Sequence, residues 1–254
     1  MRTLARPGEE TEHITVGLAD LAGGEELRLD QRDQELAAVI LSGTVSAAAD
    51  GNDLGQAGGR SSVFDGPGDA VYAPAGVSLS LQASADAQVA VIMAAAGEGP
   101  AGEARVIRPE DQRIQEVGQG NWSRTVRTML GPEHEASRLL LGETINPPGN
   151  WSSYPPHRHD RQQPPDEVAL EEVYLFKVAP SSGFGVQIMY DEAGQERAFV
   201  VRDDDVAAIR SGYHPVVAAS GYTLYYLWVL AGAGREMIPH LDPDHAWVQQ
   251  ANGG

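Results

Sequence analysis

The feature that most constrains this chain is the near absence of a 3.6-residue hydrophobic period. Its apolar residues come in short, β-rich runs bounded by Gly, Pro, Asn and Asp. Short runs closed by turn residues favour strands over helices. In the first half they are Ile14–Leu18, Glu26–Leu29, Leu36–Leu41, Ala70–Ala73, Val77–Leu81 and Gln88–Met93. In the second half they are Arg138–Thr144, Glu172–Val178, Gly185–Tyr190, Ala198–Val201 and Thr223–Leu230. Many short strands at regular spacing predict an all-β sandwich or barrel architecture. The chain has 254 residues, enough to bury a core without covalent staples. The stretch Pro109–Glu135, rich in Gln, Gly and charge, reads as a connection, which gives one unit over 1–115 and a second over 116–254. Asp242-Pro243-Asp244 supplies an N-cap, a proline at N1 and an early acid, predicting a short C-terminal helix on Ala246-Trp247-Val248.

Charge and cysteine usage narrow the function. Asp and Glu number 36 against 18 Lys and Arg, a formal charge of −18. Such a chain repels phosphate backbones and anionic lipid, so neither a nucleic-acid nor a membrane partner is expected. The absence of cysteine removes disulfides, thiolate metal sites and cysteine nucleophiles together, and suits a reducing cytosol. Glu9, Glu10 and Glu12 stand where an export leader would need an apolar run. The longest apolar runs, Val89–Ala96 and Leu224–Ala231, fall far short of the roughly twenty residues that span a bilayer. The expectation is a soluble, cytoplasmic protein.

The two halves carry a common spacing. Asp69 is followed by Gly76, and Asp205 by Gly212, with 136 residues between the paired positions. A strand that ends in a Gly turn and re-enters as a strand accounts for both stretches, and predicts an internal duplication.

Of seven histidines, His13, His134, His240 and His245 read as surface or packed residues. His157 and His159 differ, because Pro155-Pro156 upstream disfavours a helix. In extended backbone, residues two apart face the same side, as a chelating pair must. A carboxylate on the apolar segment Glu171-Glu172-Val173-Tyr174-Leu175-Phe176 is costly unless solvated, paired or metal-bound. If Tyr174 and Phe176 point inward the acid is Glu172; the opposite parity selects Glu171. His214, at the Gly turn of the repeat, supplies a further nitrogen. Three imidazoles and one carboxylate suit Zn, Mn, Fe, Co or Ni. Subtracting 136 from the four positions gives Leu21, Gly23, Leu36 and Ser78, no comparable ligand set, so any metal belongs to the second unit.

The run Gly142-Glu143-Thr144-Ile145-Asn146-Pro147-Pro148-Gly149-Asn150-Trp151-Ser152-Ser153-Tyr154-Pro155-Pro156-His157-Arg158-His159-Asp160 resembles the 5-deoxy-glucuronate isomerases of inositol catabolism, the IolB type. Leu170-Glu171-Glu172-Val173-Tyr174, Gly212-Tyr213-His214-Pro215-Val216-Val217 and Asp242-Pro243-Asp244-His245-Ala246-Trp247-Val248 are similar to the same family. So are Ser62-Val63-Phe64-Asp65-Gly66-Pro67 and Ala70-Val71-Tyr72-Ala73-Pro74, whereas 44–60 and 95–135 show no likeness. The resemblance implies a bicupin, two cupin β-barrels (double-stranded β-helices) with metal in the C-terminal one. It selects Glu172 as the carboxylate beside His157, His159 and His214, and zinc as the ion. It also implies interconversion of 5-deoxy-D-glucuronate and 5-dehydro-2-deoxy-D-gluconate.

That chemistry asks for an electrophile at the sugar carbonyl but no redox cofactor, in keeping with a chain that lacks a Gly-x-Gly-x-x-Gly turn leading into a helix. Tyr174, Tyr213 and Tyr222 are the candidate proton carriers. A uronic-acid-like substrate entering an acidic protein needs local positive charge, for which Arg161 and Lys177 are the candidates. Two other readings compete: a cupin dioxygenase holding iron on the same four ligands, and a non-enzymatic sugar-binding cupin. Oxygen uptake would mark the first, and absence of turnover the second. Paired barrels expose sheet edges, so the fold permits a homo-oligomer.

Overall fold

The computed structural model describes residues 1–251, nearly all of the regular structure being strand. The first half contributes β1 (Arg2–Ala5), β2 (Ile14–Leu21), β3 (Glu26–Leu29), β4 (Gln34–Ser42) and β5 (Thr44–Ala49). It continues with β6 (Asn52–Gly58), β7 (Ala70–Ala73), β8 (Leu79–Ala83), β9 (Ala87–Ala95) and β10 (Arg105–Ile107). They form a six-stranded sheet ordered β1-β2-β9-β4-β7-β10 and a four-stranded sheet ordered β3-β8-β5-β6. Central β4 is buried along almost its whole length, which is why its sequence is a continuous apolar run. Leu36 and Ile40 of β4 pack with Val71, Leu79, Leu81 and Val91 in one core.

The second half contributes β11 (Arg113–Val117), β12 (Arg124–Leu130), β13 (Leu140–Asn146), β14 (Trp151–Ser152), β15 (His157–Arg158) and β16 (Leu170–Ala179). Next come β17 (Gly185–Tyr190), β18 (Glu196–Val201), β19 (Val206–Ile209), β20 (Val216–Ala218), β21 (Thr223–Gly232), β22 (His240–Leu241) and helix α1 (Trp247–Ala251). Their sheets run β11-β12-β13-β21-β16-β19 and β14-β20-β17-β18, with β15 paired to β22. The order β2-β9-β4-β7 thus recurs as β13-β21-β16-β19, and β3-β8-β5-β6 as β14-β20-β17-β18. The 136-residue spacing holds at the starts of β4 and β16, β7 and β19, and β9 and β21. It breaks before β4. Residues 30–33 join β3 to β4, whereas 153–169 separate β14 from β16 and contain β15. The second repeat therefore carries an inserted segment where the first has a tight connection.

The connection expected over Pro109–Glu135 contains β11 and β12. Arg124-Thr125-Val126-Arg127 stays partly exposed and keeps a polar sequence, so hydrophobicity alone does not reveal that strand. Likewise β5 and β6 are rich in small and polar residues whose β signal is weak, four of six being Ala or Ser in the first and Asn, Asp, Gln and Gly prevailing in the second. The short C-terminal helix is present, and Asp242 Oδ1 accepts the Asp244 N–H at 2.9 Å in its lead-in.

Two compact units are formed: Met1–Arg113 with Thr128–Leu141 and Val229–Arg235, and Ile114–Arg127 with Gly142–Trp228 and Glu236–Gly254. Within the first, the fully buried Glu35 carboxylate accepts the Tyr72 hydroxyl at 2.8 Å. It also accepts the backbone N–H groups of Ser137, Arg138 and Leu139 at 2.6 to 2.9 Å, tying that segment into the unit. Within the second, Tyr174, Phe176 and Tyr226 form an aromatic core with ring centroids 4.4 to 6.0 Å apart. Among the described residues no helix is long and apolar enough to cross a membrane.

Candidate metal centre

The inserted segment delivers the first two imidazoles. β15 pairs with β22 through His157↔Leu241 and Arg158↔His240, which holds this short stretch extended. The Leu170 N–H closes on the His159 carbonyl at 2.7 Å and anchors the far end at the start of β16. Alternation then sends His157 and His159 to one side and Arg158 to the other. Arg158 is buried, donating to Glu167 at 3.2 Å, to the Tyr213 hydroxyl at 3.2 Å and to Glu192.

His214 arrives from the Gly turn. Gly212 has φ +82°, and a Cβ there would lie 2.5 Å from the Tyr190 carbonyl, so the turn requires glycine. The Gly212 N–H donates to Asp160 at 2.6 Å. Gln187, fully buried, donates through Nε2 to the His214 carbonyl at 2.8 Å. The turn that carries His214 is therefore fixed from two directions.

The ligand atoms of His157, His159 and His214 lie within 4.8 Å of one another. Each ring is oriented through Nδ1: His159 on the Leu170 carbonyl at 2.7 Å, His214 on the Gly212 carbonyl at 3.0 Å, and His157 on the Pro155 carbonyl at 3.4 Å. Such carbonyl partners fix the tautomer that leaves Nε2 free to bind a cation. Glu172, on β16 and 6% exposed, places Oε2 3.2 Å from Nε2 of both His159 and His214. His214 Nε2 is buried and meets that oxygen outside hydrogen-bonding geometry, leaving it without a partner. A buried, unpartnered nitrogen facing a carboxylate and two other imidazoles is what a divalent cation would satisfy.

The electrostatics agree. Burial pulls the His157 pKa down, and the neighbouring His214 and His159 add to this, bringing it to about 3. Burial works upward on Glu172, but the hydrogen bond of His159 and the nearness of both the His159 and His214 rings outweigh it and hold the carboxyl at about 2. On His159 burial works downward, yet contact with Glu172 wins and raises it. The site at neutral pH thus contains an ionised carboxylate and at least one neutral imidazole, a donor set for a divalent metal ion.

The other sequence candidates fall at various distances from this centre. Tyr174 shares the inward face of β16 with Glu172 and stands 6.1 Å from the His214 ring, its hydroxyl 2.7 Å from Ser153 Oγ. Burial and the adjacent Glu172 charge raise its pKa well above the ordinary value. Tyr213 stacks on Tyr190 at 5.1 Å and accepts from Arg158. Tyr222 packs 6.3 Å from Phe184. Arg161 pairs with Glu192 at 2.7 Å with its side chain 44% exposed. Lys177 lies on the opposite face of β16 and pairs with Asp203 at 3.5 Å and Asp204 at 2.5 Å.

Two residues near the centre were not evident from sequence. Glu167, 1% exposed, accepts from the N–H groups of Asp160 and Arg161 at 2.8 and 2.9 Å as well as from Arg158. Arg124, at the start of β12, donates through Nη1 to the Trp122 and Tyr154 carbonyls at 3.1 and 3.2 Å. Its stretch read as a connection, and the only hint there was an arginine close to Trp122.

The model of the KduI/IolB family matches residues 3–248. A 5-deoxy-glucuronate isomerase of Geobacillus kaustophilus is 40% identical over 242 residues, covering 94% of this chain and 87% of that protein. The crystal structure of an IolB-like protein from Salmonella typhimurium is similar with a TM-score of 0.93 and 30% identity, covering 98% of this chain and 94% of the other. A Bacillus subtilis oxalate decarboxylase with Mn(II) centres aligns at a TM-score of 0.66 and 13% identity, covering 91% of this chain and 71% of its own. At that identity the last likeness bears on the fold alone, and with the repeated strand order it makes the architecture a bicupin.

Proposed function

Because this chain belongs to the KduI/IolB family, we propose that it is an aldose–ketose isomerase converting 5-deoxy-D-glucuronate to 5-dehydro-2-deoxy-D-gluconate. The observation that carries the mechanism is the buried cluster of His157, His159 and His214 with Glu172 against two of its rings. These four side chains would hold one divalent cation, which we take as zinc from the family resemblance, the donor set itself suiting Mn, Fe, Co or Ni as well. When bound, the cation supplies the electrophile that polarises the sugar carbonyl.

The chain's own residues do the rest. The reaction moves hydrogen from C2 to C1 and a hydroxyl proton to the former aldehyde oxygen, with no net change in oxidation level. The Tyr174 phenol, held protonated by burial and by Glu172, can donate a hydrogen bond to a substrate oxygen but is a poor base. Ser153 fixes that hydroxyl. Gly212, Gln187 and the carbonyls on Nδ1 hold the imidazoles in place. Tyr213, bonded to Arg158, supports the turn before His214.

The test is NMR of 5-deoxy-D-glucuronate with the purified protein, with and without a chelator. The expected result is conversion to the ketose that stops on chelation and resumes with zinc, without oxygen uptake. Oxygen-dependent turnover would favour a dioxygenase, and no turnover of the uronate by metal-loaded protein would refute the isomerase.

A further inference from the structure

We propose that Arg124 binds the carboxylate of the substrate and sets the preference of the site for a sugar acid over a neutral sugar. The proposal takes the identity of the substrate from the isomerase reading above, but the anchor is argued from the residues around Arg124.

An acidic protein that accepts an anion needs a cation left free for it. The other cations considered around the site are matched to acids: Arg158 to Glu167 and Glu192, Arg161 to Glu192, Lys177 to Asp203 and Asp204, and Arg127 to Glu143. Arg124 is different. Its guanidinium is half-buried, and among the described residues no carboxylate pairs with it. The two carbonyls on Nη1 fix the side chain but leave its charge uncompensated, with further donors in the fork unused. The guanidinium lies 5.9 Å from the Trp122 ring centre, which limits its swing.

Arg124 is also tied to the segment that leads into the cluster. One of its carbonyl partners belongs to Tyr154, the residue after Ser153, whose Oγ meets the Tyr174 hydroxyl. Ser152, one residue earlier, bonds the hydroxyl of Tyr226, and the Tyr226 and Tyr174 rings stand 4.4 Å apart. Tyr174 in turn shares the inward face of β16 with Glu172. Arg124 is thus bonded to the segment whose Ser152 and Ser153 hold the Tyr226 and Tyr174 hydroxyls and which leads, three residues after Tyr154, to His157. A six-carbon acid with its carbonyl at the imidazoles and its hydroxyl groups along this segment would present its carboxylate to Arg124. An arginine fork matches a carboxylate in two parallel hydrogen bonds, whereas a hydroxymethyl group offers it no charge.

The experiment compares 5-deoxy-D-glucuronate with its neutral counterpart, 5-deoxy-D-glucose, on wild type, Arg124→Gln and Arg124→Lys. For Arg124→Gln the acid-over-neutral ratio of kcat/KM is expected to fall about 100-fold, mostly through KM. Arg124→Lys, which keeps the charge but loses the fork, should fall in between. Thermal melts of both variants check the fold. An unchanged ratio in Arg124→Gln overturns the proposal. A second arm needs no turnover: calorimetric binding of D-glucuronate against D-glucose. Loss of glucuronate binding in Arg124→Gln supports the anchor even if the uronate is not isomerised, in which case the isomerase reading alone fails. Isomerisation that survives with its preference for the acid intact removes the anchor and leaves the isomerase standing.

Discussion

Glu172 reaches two of the three imidazoles and is held ionised by them, its pKa at about 2 despite burial. That arrangement has two explanations with different consequences: a fourth ligand, or an acceptor that merely aligns His159 and His214. Glu172→Gln separates them, since the amide keeps the size and loses the charge. As a ligand replacement it should leave the dialysed protein with little metal and lower isomerisation by ~10³-fold or more, read by elemental analysis beside the NMR assay. Full occupancy in the variant would mean that three imidazoles suffice. At this scale much of the site was legible. The two-residue spacing of His157 and His159 behind two prolines pointed both rings one way by backbone geometry alone. The choice between Glu171 and Glu172 was not legible from the residues, because either parity left apolar neighbours on both faces of β16. Arg124 was hidden for another reason: its surroundings come from Trp122, Tyr154 and Tyr226, which are brought together only by folding.

At the scale of elements, the inserted segment between β14 and β16 depends on Glu167. Its carboxylate takes two backbone N–H groups and the Arg158 guanidinium while almost fully buried. Burial works upward on its pKa, but those donors outweigh it and hold it below the ordinary value. Glu167→Gln should cost roughly 2–4 kcal/mol, because an amide cannot satisfy three donors and leaves Arg158 partly unpaired. A depressed folded-state pKa stabilises the fold above the unfolded-state value, about 4.3, and that contribution disappears as pH falls through the folded one. The difference in Tm between wild type and variant should therefore be full at pH 7 and shrink below pH 4. A difference that grows on acidification would show that Glu167 is not held ionised by these donors. The strand framework itself was readable where strands are apolar, and Glu26–Leu29, Ala70–Ala73 and Gly185–Tyr190 coincide with observed strands. It was unreadable where a strand is polar, as in β12, or rich in small and polar residues, as in β5 and β6. There the partner strand, not the local sequence, decides the conformation.

The whole molecule repeats one strand order twice but builds the cluster once. The constant spacing of β4, β7 and β9 to β16, β19 and β21 puts Leu36, buried in the first core, opposite Glu172, and Ser78 opposite His214. The first repeat also lacks any counterpart of the segment that carries His157 and His159, because four residues do the work of seventeen there. The arithmetic on sequence, which paired those histidines with Leu21 and Gly23, used a spacing that does not extend before β4. The halves differ in two ways: the insertion alone brings His157 and His159, while Leu36 and Ser78 stand in place of Glu172 and His214. The expectation is one metal ion per chain. Elemental analysis of the purified protein should give one zinc per polypeptide, falling to near zero in His159→Ala with a cooperative melting transition retained. Because the truncation also removes the contacts of His159 with Leu170 and Glu172, the variant should melt several degrees below the chelated protein but still in one cooperative transition. A ratio of two would require a second site elsewhere in the chain. A variant that keeps its metal would dissolve the cluster as the binding site, whatever the fold of the rest.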